Sequence, residues 1–280
     1  MKGKIIVKTL AGLSNRLRAI ESGLSLAERN GSPCEVVWVP DPQMVAHYSE
    51  LFVPPDKFEL FPDDRYKYAR SSFSLKGIKK PLSKVINQYY GIEAAFSDLD
   101  VRPLIWSGKV NLPEYYNGRT CYFFTCQNFF SATFRYSWLQ PIPEIEDKLG
   151  LFGERVAGRS MIGLHIRRTD NEMSISESPD ALFEKAIEDE IKKNADVVFF
   201  LATDDKPTEK KFIDKYGDGR ILVNPKRFGR DSVEATRDAV VDLFSLSRCR
   251  RLYCSFYSSF SETAALISSA ETIICKREPV

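Results

Sequence analysis

The stretch that decides the fold is MIGLHIRRTDN at residues 161–171, an apolar segment that runs directly into two arginines and an aspartate. Successive side chains of a strand point to opposite faces. One face therefore carries the aliphatic residues Ile162, Leu164 and Ile166. His165 and Arg167 share the other face. A short apolar strand of this kind is typical of a parallel sheet that helices cover on both faces, and Arg167 would lie at its carboxyl end.

Strand and helix patterns alternate on both sides of this segment. The predicted strands are 4–10, 34–40, the start of 120–130, 160–167, 196–203, 220–223, 251–256 and 271–275. The predicted helices are 17–31, 82–91, 180–194, 206–216, 233–248 and 259–269. Such alternation predicts an α/β fold with parallel sheets. The less regular region 41–118 is interpreted as a decorated part of the first domain. A chain of 280 residues can form one large domain or two.

Composition limits the classes of function. The chain has 40 basic and 38 acidic residues, a formal net charge of +2, so it is not a nucleic-acid binder that works by bulk charge. Its six cysteines lack zinc-site spacing and are predicted to be reduced and mostly buried. The start MKGKIIVKTL has no apolar core of a signal peptide, and no apolar run approaches the roughly 20 residues of a membrane span. These features predict a cytoplasmic protein without a transmembrane segment.

Small, polar or charged residues follow four of the predicted strands. They occupy positions 11–16, 167–170, 203–205 and 257–262. Because parallel sheets bind ligands beyond the carboxyl ends of their strands, this concentration predicts an active site. The planar guanidinium of Arg167 suits a phosphate or a carboxylate. The alternative for Arg167 is a purely structural ion pair with Asp170 or Asp204 that stabilises the loop. The alternative for His165 is a hydrogen-bonded core histidine.

Three helical segments carry further candidates. The serines in YSSFSE (257–262) start a helix whose free N–H groups could bind an anion, or they are ordinary caps. Gly12 permits a tight turn or a close ligand, and Asn15 would either cap the next helix or reach a ligand. Asp242 lies at the edge of an apolar helix face, four residues after Asp238. Like charges at this spacing repel, which hints that one has a partner, although a solvated polar face is the alternative.

Four motifs in this order resemble the donor-binding half of fucosyltransferases. They are HIRRTDN (165–171), FLATDD (200–205), RDAVVDLFSLS (237–247) and SFYSSFSE (255–262). The chain is most similar to the α1,6-fucosyltransferases and the nodulation fucosyltransferases, and more distantly to the protein O-fucosyltransferases. GLSNRLRAI (12–20) resembles the glycine-rich turn of their first domain. The resemblance covers roughly residues 159–270 well and 5–40 less closely.

The resemblance implies a GT-B type glycosyltransferase with two Rossmann-like domains whose parallel sheets face a cleft. Residues 1–150 would form the acceptor side, and residues 151–280 would bind the nucleotide-sugar donor. Arg167 matches the arginine that contacts the donor diphosphate, and Asp242 matches the aspartate that reads guanine. The predicted donor-binding residues are Gly12, Asn15, His165, Arg168, Asp204, Asp205, Arg237, Asp242, Ser258, Ser259 and Phe260.

The implied reaction transfers fucose from GDP-fucose to a glycan acceptor with inversion and without a metal or other cofactor. Arg167 would stabilise the charge that develops on the leaving phosphate. Asp170, Glu172 and Glu177 are the candidate bases. The α1,6 enzymes carry a lysine after RRTD, where this chain has Asn171, and their proposed catalytic glutamate falls in the segment that aligns with MSISES (173–178). Glu172 and Glu177 therefore both stay open.

A compact chain without a signal peptide fits a bacterial enzyme of surface-glycan synthesis, with a peripheral association with the inner membrane as a further expectation. Its partners would be a nucleotide sugar and an oligosaccharide or glycan acceptor, and no nucleic acid. Two other functions are compatible with the same motifs. One is a GT-B transferase that uses another GDP-sugar, such as GDP-mannose. The other is a nucleotide-sugar-binding protein without catalysis.

Overall fold

The computed structural model describes residues 3–73, 79–156 and 158–278. The chain divides into two compact units, Met1–Gln140 and Pro141–Val280. The predicted boundary after residue 150 falls inside a helix, Pro143–Arg155, that packs in the second unit. Its residue Phe152 is buried and its ring centroid lies 4.9 Å from that of Phe200 in the second sheet. The observed division therefore comes before this helix.

The first unit contains a five-stranded parallel sheet. The strands up to the division are Ile5–Thr9 (β1), Cys34–Val37 (β2), Phe52–Val53 (β3), Glu59–Phe61 (β4), Ala94–Ser97 (β5), Cys121–Thr125 (β6) and Gln140–Pro141 (β7). The order across the sheet is β4-β2-β1-β6-β5. The first strand is therefore central, and the region 41–118 supplies both edge strands, β4 and β5.

Helices of the first unit flank this sheet. They are Leu13–Asn30 (α1), Lys79–Tyr89 (α2), the single turn Asp98–Asp100 (α3), which continues into a π-helical segment at Val101–Trp106, and Leu112–Tyr116 (α4); a 3₁₀ turn covers Tyr48–Glu50. The helix α1 lies close to β1 because Gly23 has no side chain. A Cβ at Gly23 would meet Val7 Cγ2 at 2.2 Å.

The turn between β1 and α1 differs from the prediction. The helix was predicted from residue 17, after a turn that Gly12 would permit, but α1 begins at Leu13 and Gly12 is its N-cap in an extended conformation, with φ −74°. The left-handed residue is Ala11, with φ 64°. The chain therefore turns at Ala11, one residue before Gly12. Asn15 lies in the first turn of the helix and does not cap it.

The second unit contains a second five-stranded parallel sheet. Its strands are Met161–Ile166 (β8), Val198–Thr203 (β9), Ile221–Leu222 (β10), Arg251–Ser255 (β11) and Glu271–Cys275 (β12). The order is β10-β9-β8-β11-β12. This is the 3-2-1-4-5 arrangement of a Rossmann-like sheet, whose ligand site lies where the strand order reverses, between the first and fourth strands. The predicted α/β fold with parallel sheets is confirmed.

The described helices of the second unit are Pro143–Arg155 (α5), Glu172–Glu177 (α6), Asp180–Lys193 (α7), Lys206–Tyr216 (α8), Val233–Ser247 (α9) and Ser259–Ser268 (α10). The last four agree closely with the predicted helices, whereas α5 and α6 were not predicted. The alternation in β8 is also as predicted. Ile162, Leu164 and Ile166 enter one core cluster with Phe183 of α7. On the other face, a Cβ at Gly163 would meet Leu252 Cδ2 at 2.5 Å and Leu246 Cδ2 at 3.0 Å, so the glycine allows close packing.

All six cysteines, each within the described residues, are free, and only Cys126 is not fully buried. This agrees with the prediction of reduced, mostly buried thiols. None of the helices in the part of the chain that the structure describes has both the length and the apolarity of a membrane span.

Candidate active site

His165 and Ser258 meet at the place where the strand order of the second sheet reverses. His165 lies on β8, and Ser258 follows the neighbouring strand β11 and precedes α10. Ser258 Oγ lies 3.4 Å from His165 Nδ1, and the imidazole stacks on Phe260 with ring centroids 5.1 Å apart. His165 is 4% exposed. The structure therefore brings together three predicted residues from two strand ends.

The imidazole of His165 is neutral at physiological pH. Burial, together with the nearby cations Arg167, Lys226 and Arg168, lowers the pKa of His165 to about 3 against the opposing effect of Asp204. A neutral ring stacked beside a helix N-terminus adds no charge to the site and offers nitrogen atoms for hydrogen bonding. The contact with Ser258 agrees with a hydrogen-bonded core histidine, so the donor role of His165 stays a prediction.

Arg167 is held at the end of β8 by two carboxylates. Its Nε lies 3.0 Å from Asp204 Oδ2, and its Nη2 pairs with Asp170 Oδ1. Its backbone N–H donates to Ser255 Oγ at 3.0 Å. These are the ion pairs of the alternative interpretation, in which the arginine ties the loop. The side chain nevertheless stays 18% exposed, and Asp170 is 53% exposed, so one of the two pairs is at the surface.

A second arginine, not predicted from the sequence, lies beside the first. Arg230 Nη1 is 3.0 Å from Asp170 Oδ2, and its side chain is 42% exposed. Both oxygens of Asp170 therefore contact guanidinium groups, one from Arg167 and one from Arg230. Two guanidinium groups therefore flank one exposed carboxylate at the strand end, and with Asp204 the cluster holds two cations and two carboxylates. Arg230 could not be predicted, because its loop has no periodic pattern.

Arg168 lies on the opposite side of the sheet, as strand alternation predicts. Its guanidinium contacts Asp180 Oδ1 at 2.5 Å and the Ser178 carbonyl at 2.8 Å. It also lies over the ring of Phe183, 5.9 Å from its centroid. Lys211 pairs with the same Asp180 at 2.8 Å. These contacts anchor the start of α7, and the donor-binding role assigned to Arg168 stays a prediction.

Asp204 and Asp205 follow β9 and shape two different turns. Asp204 accepts from the backbone N–H of Arg168 at 2.8 Å and from Thr169 Oγ1 at 2.6 Å. Asp205 caps α8, accepting from the N–H of Thr208 at 2.9 Å. Asp204 therefore fixes the 167–169 turn beside Arg167, whereas the contacts of Asp205 are those of a helix cap. The roles of Asp204 and Asp205 in binding the nucleotide-sugar donor stay predictions.

The N-terminus of α10 carries Ser258, Ser259 and Phe260. Ser258 is the N-cap residue, but its hydroxyl makes no capping hydrogen bond and faces His165. The N–H groups of the first helical turn are a natural position for an anion, since the helix dipole also favours negative charge there. The preceding Tyr257 has a left-handed conformation, with φ 57°.

Asp242 is a buried carboxylate with its own counter-ion. Its Oδ2 lies 2.8 Å from Lys226 Nζ, and Asn224 Nδ2 donates to Oδ1 at 3.1 Å. Burial raises the pKa of Asp242, and the ammonium of Lys226 opposes that rise. Burial alone would lower the pKa of Lys226, but Asp242 and Glu209 raise it above its ordinary value. Because Lys226 also lowers the pKa of His165, the Asp242 pair lies in the same electrostatic environment as the strand end.

The neighbouring polar residues of α9 have partners elsewhere in the unit. Asp238 is 4% exposed and pairs with Lys148 at 2.8 Å, and its Oδ2 accepts from the N–H of Arg227 at 3.0 Å. Arg237 contacts Glu144 of α5 at 2.8 Å. The repulsion expected between Asp238 and Asp242 is thus offset by separate cations. The role of Arg237 in donor binding stays a prediction.

The three candidate bases differ in their surroundings. Asp170 is occupied by two arginines. Glu172 is exposed and starts α6 immediately after Asn171, whose side chain reaches the loop before α10. Glu177 ends the same helix, where its carbonyl accepts from the N–H of Arg277 at 2.9 Å. Glu172 therefore lies at the end of α6 that contacts the Tyr257 turn, and Glu177 at the end near β12.

In the first unit, the predicted residues Gly12 and Asn15 begin α1. The turn before them is fixed by Arg16, which is fully buried and which the sequence did not single out. Arg16 donates to the Ala11 carbonyl at 2.8 Å and to the Val39 carbonyl at 2.8 Å, and it pairs with Asp41 at 2.7 Å. Within the residues that the structure describes, no group of three or more His, Cys, Asp or Glu side chains is placed to hold a metal ion.

Comparison with known proteins gives the fold a family context. The sequence matches no protein-family model and no curated protein sequence. Among solved structures, the chain is similar to NodZ alpha-1,6-fucosyltransferase soaked with GDP-fucose, with a TM-score of 0.62, 18% identity, and coverage of 95% of this chain and 93% of that one.

Two further solved structures extend the similarity. A substituted form of Arabidopsis thaliana FUT1 in complex with GDP has a TM-score of 0.60 at 11% identity and covers 100% of this chain and 71% of that one. POFUT1 in complex with GDP has a TM-score of 0.56 at 10% identity and covers 98% of each chain. The chain therefore shares the fold of these solved fucosyltransferases, as the resemblance predicted.

Proposed function

We propose that the protein is an inverting, metal-independent glycosyltransferase of GT-B type that transfers fucose from GDP-fucose to a glycan acceptor. The second unit would bind the donor and the first unit would form the acceptor side. The observation that carries this proposal is the position of Arg167, with Arg230 beside it across Asp170, at the end of β8, next to the strand β11 that leads into α10, at the strand-order reversal of the second sheet. The bacterial surface-glycan role and the cytoplasmic location remain part of the proposal.

The positive groups at the strand end suit a diphosphate. A nucleoside diphosphate is more negative than Asp170, and it can bind two guanidinium groups and the helix N–H groups together. Because Asp170 is half exposed, its side chain can move away from Arg167, while the less exposed Asp204 remains paired with Arg167. Fixed cations of this kind stabilise a leaving phosphate without a metal ion.

Asp242 supplies the specificity for guanine in this proposal. Guanine presents neighbouring N–H donors, and a carboxylate with two oxygens can accept both. Lys226 and Asn224 hold the carboxylate of Asp242 in place from the protein side. The same contacts would favour any GDP-sugar, so GDP-mannose is the second candidate donor.

The reaction then needs one base. The acceptor hydroxyl oxygen attacks the anomeric carbon of fucose from the face opposite the phosphate, the carbon–oxygen bond to the diphosphate breaks, and its electron pair leaves with GDP. The hydroxyl proton passes to a carboxylate. We assign this role to Glu172, because Asp170 is occupied by arginines and Glu177 lies at the far end of α6.

A donor assay tests the proposal. Purified protein is incubated with GDP-fucose, GDP-mannose or UDP-galactose, with and without EDTA, and release of the nucleoside diphosphate is measured. GDP-fucose should be consumed and EDTA should have no effect. Glu172→Gln should lower turnover far more than the matched variant Glu177→Gln. Equal turnover of all three donors, or activity that EDTA abolishes and magnesium restores, would contradict the proposal. GDP binding without any turnover would favour a non-catalytic nucleotide-sugar-binding protein.

A further inference from the structure

Tyr257 has a backbone conformation that its side chain disfavours. Its φ is 57°, in the left-handed region where glycine is comfortable and a bulky aromatic residue is rare. The side chain is 60% exposed, so burial of the ring does not compensate for the conformation. Strained residues persist where their surroundings hold them, and such residues cluster at functional sites. Something other than the tyrosine ring must therefore hold this turn.

Asn171 supplies the holding contact. Its Nδ2 donates to the Tyr257 carbonyl at 2.9 Å, while its Oδ1 accepts from the N–H of Ser174 at 3.1 Å and so caps α6. The same helix also holds the preceding residue, because Ser174 Oγ donates to the Phe256 carbonyl at 2.6 Å. Two consecutive carbonyls just before α10 are therefore fixed from α6.

We propose that Asn171 is a positioning residue that keeps Tyr257 left-handed and thereby aims the first-turn N–H groups of α10 at the donor diphosphate. This inference rests on the proposed function. It also accounts for the departure of this chain from the α1,6-fucosyltransferase motif, which has a lysine at this place. A lysine ammonium can donate to a carbonyl, but it cannot accept from the Ser174 N–H. The amide of Asn171 has a donor and an acceptor on separate atoms, so it does both tasks at once.

The first unit uses the same arrangement at its own strand-to-helix turn. Ala11 has φ 64° and directly precedes Gly12, the N-cap of α1, as Tyr257 directly precedes Ser258, the N-cap of α10. The Ala11 carbonyl accepts from Arg16 Nε at 2.8 Å. In both units a side-chain N–H thus holds the carbonyl of a left-handed residue immediately before a helix N-terminus.

The test is a double-mutant cycle on GDP affinity. Asn171→Ser keeps an oxygen that can cap α6 but is too short to reach the Tyr257 carbonyl. Tyr257→Gly removes the conformational cost, because glycine adopts a positive φ unaided. Dissociation constants for GDP are measured by titration calorimetry for the wild type, both single variants and the double variant, and a melting curve is recorded for each.

We expect Asn171→Ser to weaken GDP binding by about tenfold, or about 1.4 kcal/mol. In the Tyr257→Gly background the same change should cost less than about threefold, a coupling that a merely structural loss would not show. If Asn171→Ser melts below the assay temperature, Asn171→Asp replaces it. The effect of its added charge would persist in the Tyr257→Gly background, whereas a positioning effect would disappear there.

Three results are decisive. An unchanged GDP affinity in Asn171→Ser overturns the positioning role. An equal loss in both backgrounds overturns the link to the Tyr257 conformation. Failure of the wild type to bind GDP overturns the proposed function itself, and this separates the two failures because it is seen before any variant is made.

Discussion

Lys226 Nζ lies 2.8 Å from Asp242 Oδ2 in the interior of the second unit, and both side chains are almost completely buried. The aspartate that the sequence motif assigns to guanine thus already carries a counter-ion. This pair fixes the carboxylate and leaves lone pairs on both oxygens for further donors. A buried pair is strongly destabilised when one partner is removed, so binding and folding must be measured separately for any variant here.

Asp242→Asn should weaken GDP binding by roughly 10- to 100-fold, because a charged acceptor of hydrogen bonds is replaced by an amide that offers one acceptor and one donor. The matched control is Asp238→Asn, one turn earlier on α9 and equally buried. That variant loses its pair with Lys148 and should melt at a lower temperature, with GDP affinity unchanged. Titration calorimetry and a melting curve on both variants separate the effect on GDP affinity from the effect on stability. Equal losses of GDP affinity in the two variants would contradict the role of Asp242 in binding guanine.

Arg167→Lys should lower turnover with GDP-fucose by about 100-fold or more, since lysine keeps the charge but loses the planar fork. Arg168→Lys should cost much less turnover, because its guanidinium contacts Asp180 and the Ser178 carbonyl on the α7 side. Initial rates and melting curves for the two variants are compared. Near-normal turnover of Arg167→Lys would mean that Arg167 only ties the loop to Asp170 and Asp204.

Arg230→Ala should weaken GDP binding by about tenfold or more, the usual value of a hydrogen bond to a charged group. Its control is Arg227→Ala in the same loop. Arg227 is 64% exposed, and its guanidinium is 3.9 Å from Asp238, away from Asp170. Binding of GDP is measured at low and at moderate salt, because the loss of a direct phosphate contact in Arg230→Ala should also reduce the salt dependence of binding. Identical behaviour of the two variants would place Arg230 outside the site.

Acidification should destabilise the protein through His165. The unfolded histidine binds a proton below about pH 6.5, whereas the folded one stays neutral down to about pH 3. The free energy of unfolding should therefore fall as the pH drops from 6.5 towards 3, by up to about 1.4 kcal/mol per pH unit from this group. His165→Gln should lack this component, and the exposed His47→Gln should keep it. Denaturant unfolding at several pH values gives the slopes; equal slopes for the two variants would contradict the burial of a neutral imidazole.

The sequence predicted most of the second unit because its signals are local. Strands such as β9 and β11 are short apolar runs, and the helices α8 and α9 follow the predicted ranges 206–216 and 233–248 to within a residue. The alternation that separates Arg167 from Arg168 follows from the strand period of two. The helix α6 was missed because its six residues are too few to show a period.

The partners of the candidate residues could not be predicted. Lys226 meets Asp242 from 16 residues away, and Asn171 meets the Tyr257 carbonyl from 86 residues away. Such pairs depend on how loops approach one another, which no local pattern encodes. The turn at Ala11 shows the same limit, because a buried arginine stabilises a left-handed alanine where the adjacent Gly12 was the expected turn residue.

The measurement that tests the central claim most directly is the melting temperature of the wild-type protein with GDP and with UDP. A ligand present at about 100 times its dissociation constant adds roughly 2.7 kcal/mol to the free energy of unfolding, which is a clear upward shift. GDP should produce this shift and UDP should not, because in the proposed function Asp242 would accept from the two neighbouring donors of guanine, and uracil has no matching pair. Equal shifts with the two nucleotides, or no shift with GDP, would contradict the account.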